Sequence, residues 1–144
     1  MGVVADYLEQ APEPEVASLS ALSEAQQSAL LEVLCLAVYA DGYADEDEFK
    51  MLATLVADVP TFAETSEAEL RERLSGAAER VLGIKTEEAA SGMLGELASR
   101  LDTAGLRDVA FGMATVIALS DGIVVDPEKA MLGALIQAFG LSSR

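Results

Sequence analysis

Apolar residues recur at three- and four-residue intervals over most of the chain, and this spacing predicts helices almost throughout. A short first helix is predicted over Val3–Gln10. Ser23 and Gln26 form a capping-box pattern that opens a second helix, which runs to about Ala40. Similar start signals predict five further helices, near Asp45, Ser66, Thr86, Ala104 and Asp126. Because no stretch alternates with period two, we expect an all-α fold of six or seven helices.

Two of these helices, over residues 24–40 and 104–120, are apolar on almost every side. This pattern is typical of helices buried inside a bundle. The single cysteine, Cys35, lies in the first of them and is interpreted as a small core residue. Met51, Met113 and Met131 fall at core spacing and are likewise interpreted as packing residues.

An internal repeat relates these two apolar helices and the segments that follow them. An offset of 80 residues places Asp41-Gly42 over Asp121-Gly122, and Glu48 over Glu128. In both copies an apolar helix is followed by Asp-Gly, a short loop and a capped amphipathic helix. Such a repeat predicts two similar halves related by a pseudo-twofold axis.

The repeated aspartates are unusual in electrostatic terms. Asp41 and Asp121 follow the ends of helices, where the helix dipole disfavours a carboxylate by about 0.3–1 kcal/mol. A basic partner, the N-terminus of the next helix or a bound cation can each compensate this cost. Packing around a pseudo-twofold would gather both aspartates with Glu48 and Glu128. The purely structural alternative is a common Asp-Gly turn followed by an ordinary helix cap.

The segments 40–48 and 120–128, which read ADGYADEDE and SDGIVVDPE, resemble the TerB-like family, named for the tellurite resistance protein TerB. The resemblance covers about Leu22 to Leu141. It implies an all-helical fold of two similar halves, a link to tellurite and stress resistance, and divalent-metal binding, mainly of calcium. It implies these metal ligands: Asp41, Asp45, Glu48, Asp121 and Glu128. The corresponding binding set for a ligand or partner is Asp41, Glu48, Asp121, Asp126 and Glu128.

The second copy departs from this acidic pattern. It has Val125 where the first copy has Asp45, and Pro127 where the first has Asp47. The second loop is therefore poorer in ligands, and two equal metal sites are not expected. We divide the chain into an acidic N-terminal segment, 1–21, and a TerB-like helical domain, 22–144.

Composition and charge argue against several classes of protein. The 144 residues include 25 acids, nine Lys or Arg and no histidine, for a net charge of −16. This charge argues against a nucleic-acid binder, and without histidine there is no imidazole catalysis or histidine metal site. No apolar stretch reaches the roughly 20 residues of a membrane-spanning helix, and no signal peptide is visible. We expect a cytoplasmic protein that reaches a membrane only through a partner.

Three functions remain open. The first is a non-enzymatic module that binds Ca²⁺ or Mg²⁺ through carboxylates, without an organic cofactor. The second is an interaction module whose acidic face docks a basic protein partner without metal. The third, a hydrolase using paired carboxylates, has least support because no cleft or nucleophile marks it, and no catalytic residue is assigned. An EF-hand is excluded because Glu46 and Leu52 stand at its glycine and glutamate positions. The oligomeric state is not predicted.

Overall fold

The computed structural model describes residues 9, 22–38, 46–57, 59–62, 65–84, 86–101, 104–118 and 126–140. Only the backbone is described for residues 37–38, 46–48, 60, 87, 104, 117–118 and 126–132. Within the described ranges the chain forms six α-helices, one 3₁₀ turn and no strand. The helices are α1 Glu24–Val38, α2 Glu46–Val56, α3 Glu67–Leu82, α4 Glu87–Arg100, α5 Ala104–Ala118 and α6 Asp126–Phe139, and the 3₁₀ turn is Pro60–Phe62. The predicted all-α fold is confirmed.

Side-chain caps begin three of these helices where the sequence predicts them. Ser23 and Gln26 form a reciprocal box, in which each backbone N–H donates to the other side chain, at 3.0 and 3.2 Å. The Ser66 hydroxyl accepts from the N–H three residues on, at 3.2 Å, and the Thr86 hydroxyl does the same at 3.1 Å. At the other end of the fold, Gly140 follows α6 with φ of +68°, the left-handed conformation that glycine adopts without strain.

Helix α1 lies at the centre of the fold, where it contacts α3, α4, α5 and α6. Its eight consecutive residues Ala29–Leu36 are each at most 3% exposed, which confirms that α1 is buried on every side. Helix α5 differs, because Phe111, Thr115 and Val116 are only half-buried. The prediction that α5 is also buried on every side was therefore too strong.

Among the methionines, Met113 is fully buried as predicted, whereas Met51 is 37% exposed. The prediction for Met51 was wrong because the buried stripe of α2 is formed by Leu52, Leu55 and Val56, and Met51 lies outside it. The side chain of Met131 lies outside the described residues.

The helix boundaries follow the internal repeat. Helices α1 and α5 each contain 15 residues, and both their first and their last residues lie 80 positions apart. Helices α2 and α6 also begin 80 positions apart, at Glu46 and Asp126. The two repeated buried helices, α1 and α5, pack against each other. Equal spacing and mutual packing are what two equivalent halves require, whereas the pseudo-twofold axis itself stays a prediction.

Candidate functional site

The acidic residues that the sequence singles out belong to the two repeated segments, 40–48 and 120–128. Asp41, Asp45 and Asp121 are outside the described residues. Glu48 and Glu128 are each the third residue of a helix, α2 and α6, and only their backbone is described. Asp126 is the first residue of α6, and only its backbone is described as well. The convergence of these carboxylates therefore stays a prediction.

The described backbone gives Glu48 and Glu128 a favourable electrostatic setting. Glu48 and Glu128 are in the first turns of their helices, where the positive end of the helix dipole favours carboxylates. Asp41 and Asp121 follow the described ends of α1 and α5, at Val38 and Ala118. Their own positions lie outside the described residues, so the compensating positive group expected for them stays a prediction.

No metal site is formed by the side chains that the structure describes, since no three Asp, Glu or Cys side chains among them come together. The described side chains instead build a buried ion-pair cluster that sequence reasoning missed. The carboxylate of Glu32 on α1 is 4% exposed and lies between Arg80 of α3 and Arg100 of α4. Its Oε1 is 3.4 Å from Nε of Arg80, and its Oε2 accepts from Nη2 of Arg100 at 3.2 Å.

This cluster explains how a charge is accommodated inside an apolar helix. A buried carboxylate is costly unless it is paired and hydrogen-bonded. Two guanidinium groups from two neighbouring helices provide that pairing, and the side chains of Arg80 and Arg100 are 51% and 23% exposed. Glu32 thereby ties α1 to α3 and α4. An acid within a long apolar run was the available sequence signal, but its partners are 48 and 68 residues away.

Cys35 lies one turn after Glu32 on α1 and is fully buried. The pKa of its thiol is raised from 9.0 to about 12, mainly by burial and in smaller part by the negative charge of Glu32, while Arg80 partly lowers it. The thiolate, which is the reactive form, is thus strongly disfavoured. This confirms Cys35 as a core residue.

A second polar cluster joins α1, the 3₁₀ turn and α3. Arg73 donates to the Oε1 of Gln27 at 2.8 Å, and its guanidinium lies 5.6 Å from the ring centroid of Phe62. The Nε2 of Gln27 donates in turn to the Thr61 hydroxyl at 2.7 Å. These contacts fix the connection between α2 and α3 to the central helix.

Arg107 of α5 closes the C-terminus of α4. Its Nε donates to the carbonyl of Leu101 at 2.6 Å, and its Nη2 donates to the carbonyl of Ala98 at 2.6 Å. A guanidinium at this position satisfies carbonyls that have no partner within the helix and matches the negative end of its dipole.

Two surface clefts accompany these clusters. One, of about 450 Å³, lies between α2 and α3 and has an apolar floor. The other, of about 400 Å³, lies between α1 and α3 and is lined mainly by charged residues, among them Glu24, Glu72 and Arg73. Among the residues that the structure describes, no helix has both the length and the hydrophobicity needed to cross a bilayer.

Comparison with models of protein families identifies a match over most of the chain. The model of the family described as tellurite resistance protein TerB matches residues 27–144, which include all six helices except the first turn of α1. Comparison with curated proteins and with solved structures gives no significant match. The family match covers both Asp-Gly dipeptides of the repeat.

Proposed function

The chain belongs to the TerB family, and we propose that it is a non-enzymatic module that binds Ca²⁺ or Mg²⁺ through the acids of its two repeated loops. The proposed ligands are Asp41, Asp45, Glu48, Asp121 and Glu128. Asp126 is a neighbouring acid of the same surface. Association with tellurite or stress resistance and a cytoplasmic location are part of this proposal.

The observation that carries the proposal is the packing of α1 against α5. These two helices have the same length and lie 80 residues apart, and in the sequence an Asp-Gly dipeptide follows each of them three residues after its end. Packing of the two equivalent helices against each other supports the idea that their loops belong to one region of the surface.

The chemistry of the available side chains selects the ion. The chain has no histidine and its one cysteine is buried and protonated. Carboxylate oxygens are hard ligands that suit Ca²⁺ and Mg²⁺ rather than zinc or copper. A cation among these acids would also supply the positive charge that Asp41 and Asp121 need beside the ends of α1 and α5.

Isothermal titration calorimetry with Ca²⁺ and with Mg²⁺ tests the proposal. We expect the wild type to bind, and the double variant Asp41→Asn with Asp121→Asn to lose binding while its helical circular dichroism is retained. The control is Glu79→Gln with Glu88→Gln, which removes the same charge from two exposed positions on α3 and α4. This control should bind as the wild type does.

Equal responses of all three proteins would show that the ion only screens the net charge of −16. The metal function would then be wrong. The alternative, an acidic face that docks a basic partner without metal, would replace it.

A further inference from the structure

The cleft of about 400 Å³ between α1 and α3 is within the usual volume range of small-ligand sites. Two contacts show how the helices run along it. Gln27 of α1 contacts Arg73 of α3. Five residues further along α1, Glu32 contacts Arg80, which is seven residues further along α3. Both helices therefore pass along the cleft in the same direction, and the residues that line it can be ordered from one end to the other.

The end of the cleft at which both helices begin is acidic. The exposed carboxylates that line it are those of Glu24, Glu69 and Glu72. Within the described part of the chain, none of the three forms an ion pair, and they do not combine into a metal site. Arg73 also lines the cleft, but its guanidinium donates to Gln27 and lies over the ring of Phe62. This end therefore retains an excess of negative charge.

Arg80 lines the other end of the cleft and is short of negative charge. Its Nε is 3.4 Å from the carboxylate of Glu32, but Arg100 contacts the same carboxylate. The side chain of Arg80 is 51% exposed, and among the described residues its Nη1 and Nη2 have no hydrogen-bond acceptor. Since two guanidinium groups share one buried carboxylate, Arg80 can take a second anionic group on its terminal nitrogens.

The sequence of α3 leaves Arg80 open on the side of the cleft. The other arginines of α3 and α4 each have a glutamate four residues earlier, in the pairs Glu67 and Arg71, Glu69 and Arg73, and Glu96 and Arg100. Arg80 has Gly76 at that position. Its Nη1 lies 3.5 Å from the place that a Cβ on Gly76 would take. Glycine thus keeps the cleft free where a glutamate would pair with the guanidinium.

We propose that this cleft binds a small zwitterion, with its carboxylate on Arg80 and its ammonium group among Glu24, Glu69 and Glu72. The Arg80 guanidinium lies beside Gly76, so Glu72 and Glu69 are one and two helical turns, about 6–10 Å, from it. This separation suits a short peptide with free termini. A simple anion would meet the three carboxylates, and a simple cation would meet Arg80. The site uses none of the proposed metal ligands.

The test is titration of the full chain with triglycine, followed by the NMR shifts of its backbone amides. Triglycine is a zwitterion that spans about 10 Å when extended. N-acetyl-triglycine lacks the ammonium group, triglycine amide lacks the carboxylate, and the charges of free glycine are too close together. We expect triglycine to bind in the millimolar range and each of the three others at least about fivefold more weakly. Equal binding of triglycine and a blocked analogue, or no binding of triglycine, would overturn the proposal.

Gly76→Glu places an acid four residues before Arg80, as in the described pairs of Arg71 and Arg100. The new carboxylate should pair with Arg80 and fill the cleft, so triglycine should bind at least about tenfold more weakly. The control is Gly95→Glu, which makes the same change at an exposed position of α4 where an added Cβ meets nothing within 4 Å. It should bind triglycine as the wild type does. Equal binding by the two variants would overturn the proposal.

Glu72→Gln tests the acidic end of the cleft. It removes one of three carboxylates near the ammonium group, and triglycine should bind about threefold more weakly. Glu88→Gln removes the same charge from an exposed position of α4 that does not line the cleft and should leave binding unchanged. Because triglycine has no net charge, the overall charge of the protein has little influence on this comparison. An equal affinity of the two variants would overturn the proposal.

Discussion

Position 32 of α1 is a buried glutamate, and the equivalent position of α5, 80 residues later, is the half-buried Gly112. The two helices otherwise have the same length and the same place in the repeat. Glu32 is paired with arginines of α3 and α4. Helix α5 has no side chain at 112 with which to form such pairs, so the first half of the repeat alone has this buried charge cluster at the equivalent position.

A second pair of equivalent positions, Gln27 and Arg107, shows the same division. Gln27 contacts Thr61 and Arg73, which lie in the turn before α3 and in α3 itself. Arg107 instead donates to carbonyls at the end of α4. Helix length and the order of elements repeat along the chain, whereas the polar anchors at these two positions differ, since Gln27 contacts α3 and the turn before it and Arg107 contacts the end of α4.

A large loss of stability should follow removal of Glu32, which holds together the ion-pair cluster with Arg80 and Arg100. Glu32→Ala should lower the free energy of unfolding by about 2–3 kcal/mol. This is less than the 3–5 kcal/mol typical of a fully buried pair, because Arg80 and Arg100 reach solvent. Urea unfolding followed by circular dichroism measures it. Leu34→Ala, a core truncation of about 2–5 kcal/mol, is the reference, and Glu72→Ala at an exposed position is the control. A Glu32→Ala protein as stable as this control would contradict the assigned role.

The anchors at the second pair of positions should differ in strength. Arg107→Ala removes charged hydrogen bonds to two carbonyls and should cost about 3 kcal/mol, whereas Gln27→Ala removes one charged hydrogen bond, from Arg73, and one neutral one, to Thr61, and should cost about 1.5–2 kcal/mol. The same urea unfolding experiment compares them. An equal loss in both variants would mean that the capping of α4 by Arg107 contributes no more than the contacts of Gln27 do.

Cys35 should have a smaller effect on the free energy of unfolding, and only in alkaline solution. The folded protein keeps the thiol protonated to about pH 12, whereas the unfolded chain releases the proton above about pH 9. The unfolded state thus binds fewer protons in this window, and stability falls as pH rises through it. Cys35→Ala lacks this loss, so the stability advantage of the wild type over the variant should shrink from pH 9 upward. A constant difference would contradict the raised pKa.

The sequence predicts the helices well because their signals are local. Capping residues such as Ser66 and Thr86, and the buried stripes that follow them, act within one or two turns of the chain. Prediction fails for Met51, because which face of a short helix is covered depends on its neighbours rather than on spacing alone.

The polar clusters were missed for a related reason. Glu32 stands out in the sequence, but its arginines are brought to it only by the packing of α3 and α4 against α1. Arg107 likewise acts on carbonyls of another helix, which no residue type reveals. The loop acids, by contrast, came from the repeat and from the family resemblance, and their arrangement stays a prediction.

The central claim is that the two halves of the repeat share one helical scaffold but differ in their metal ligands. Exchange of the residues at the equivalent positions 45 and 125 tests this claim most directly. The measurement is Ca²⁺ affinity by calorimetry for Asp45→Val and Val125→Asp, with Glu88→Gln as the control for charge. We expect Asp45→Val to bind about tenfold more weakly and Val125→Asp to bind more tightly, since ligand charge count sets the affinity of such sites. Affinities that follow only the net charge, with Asp45→Val equal to Glu88→Gln, would contradict the account.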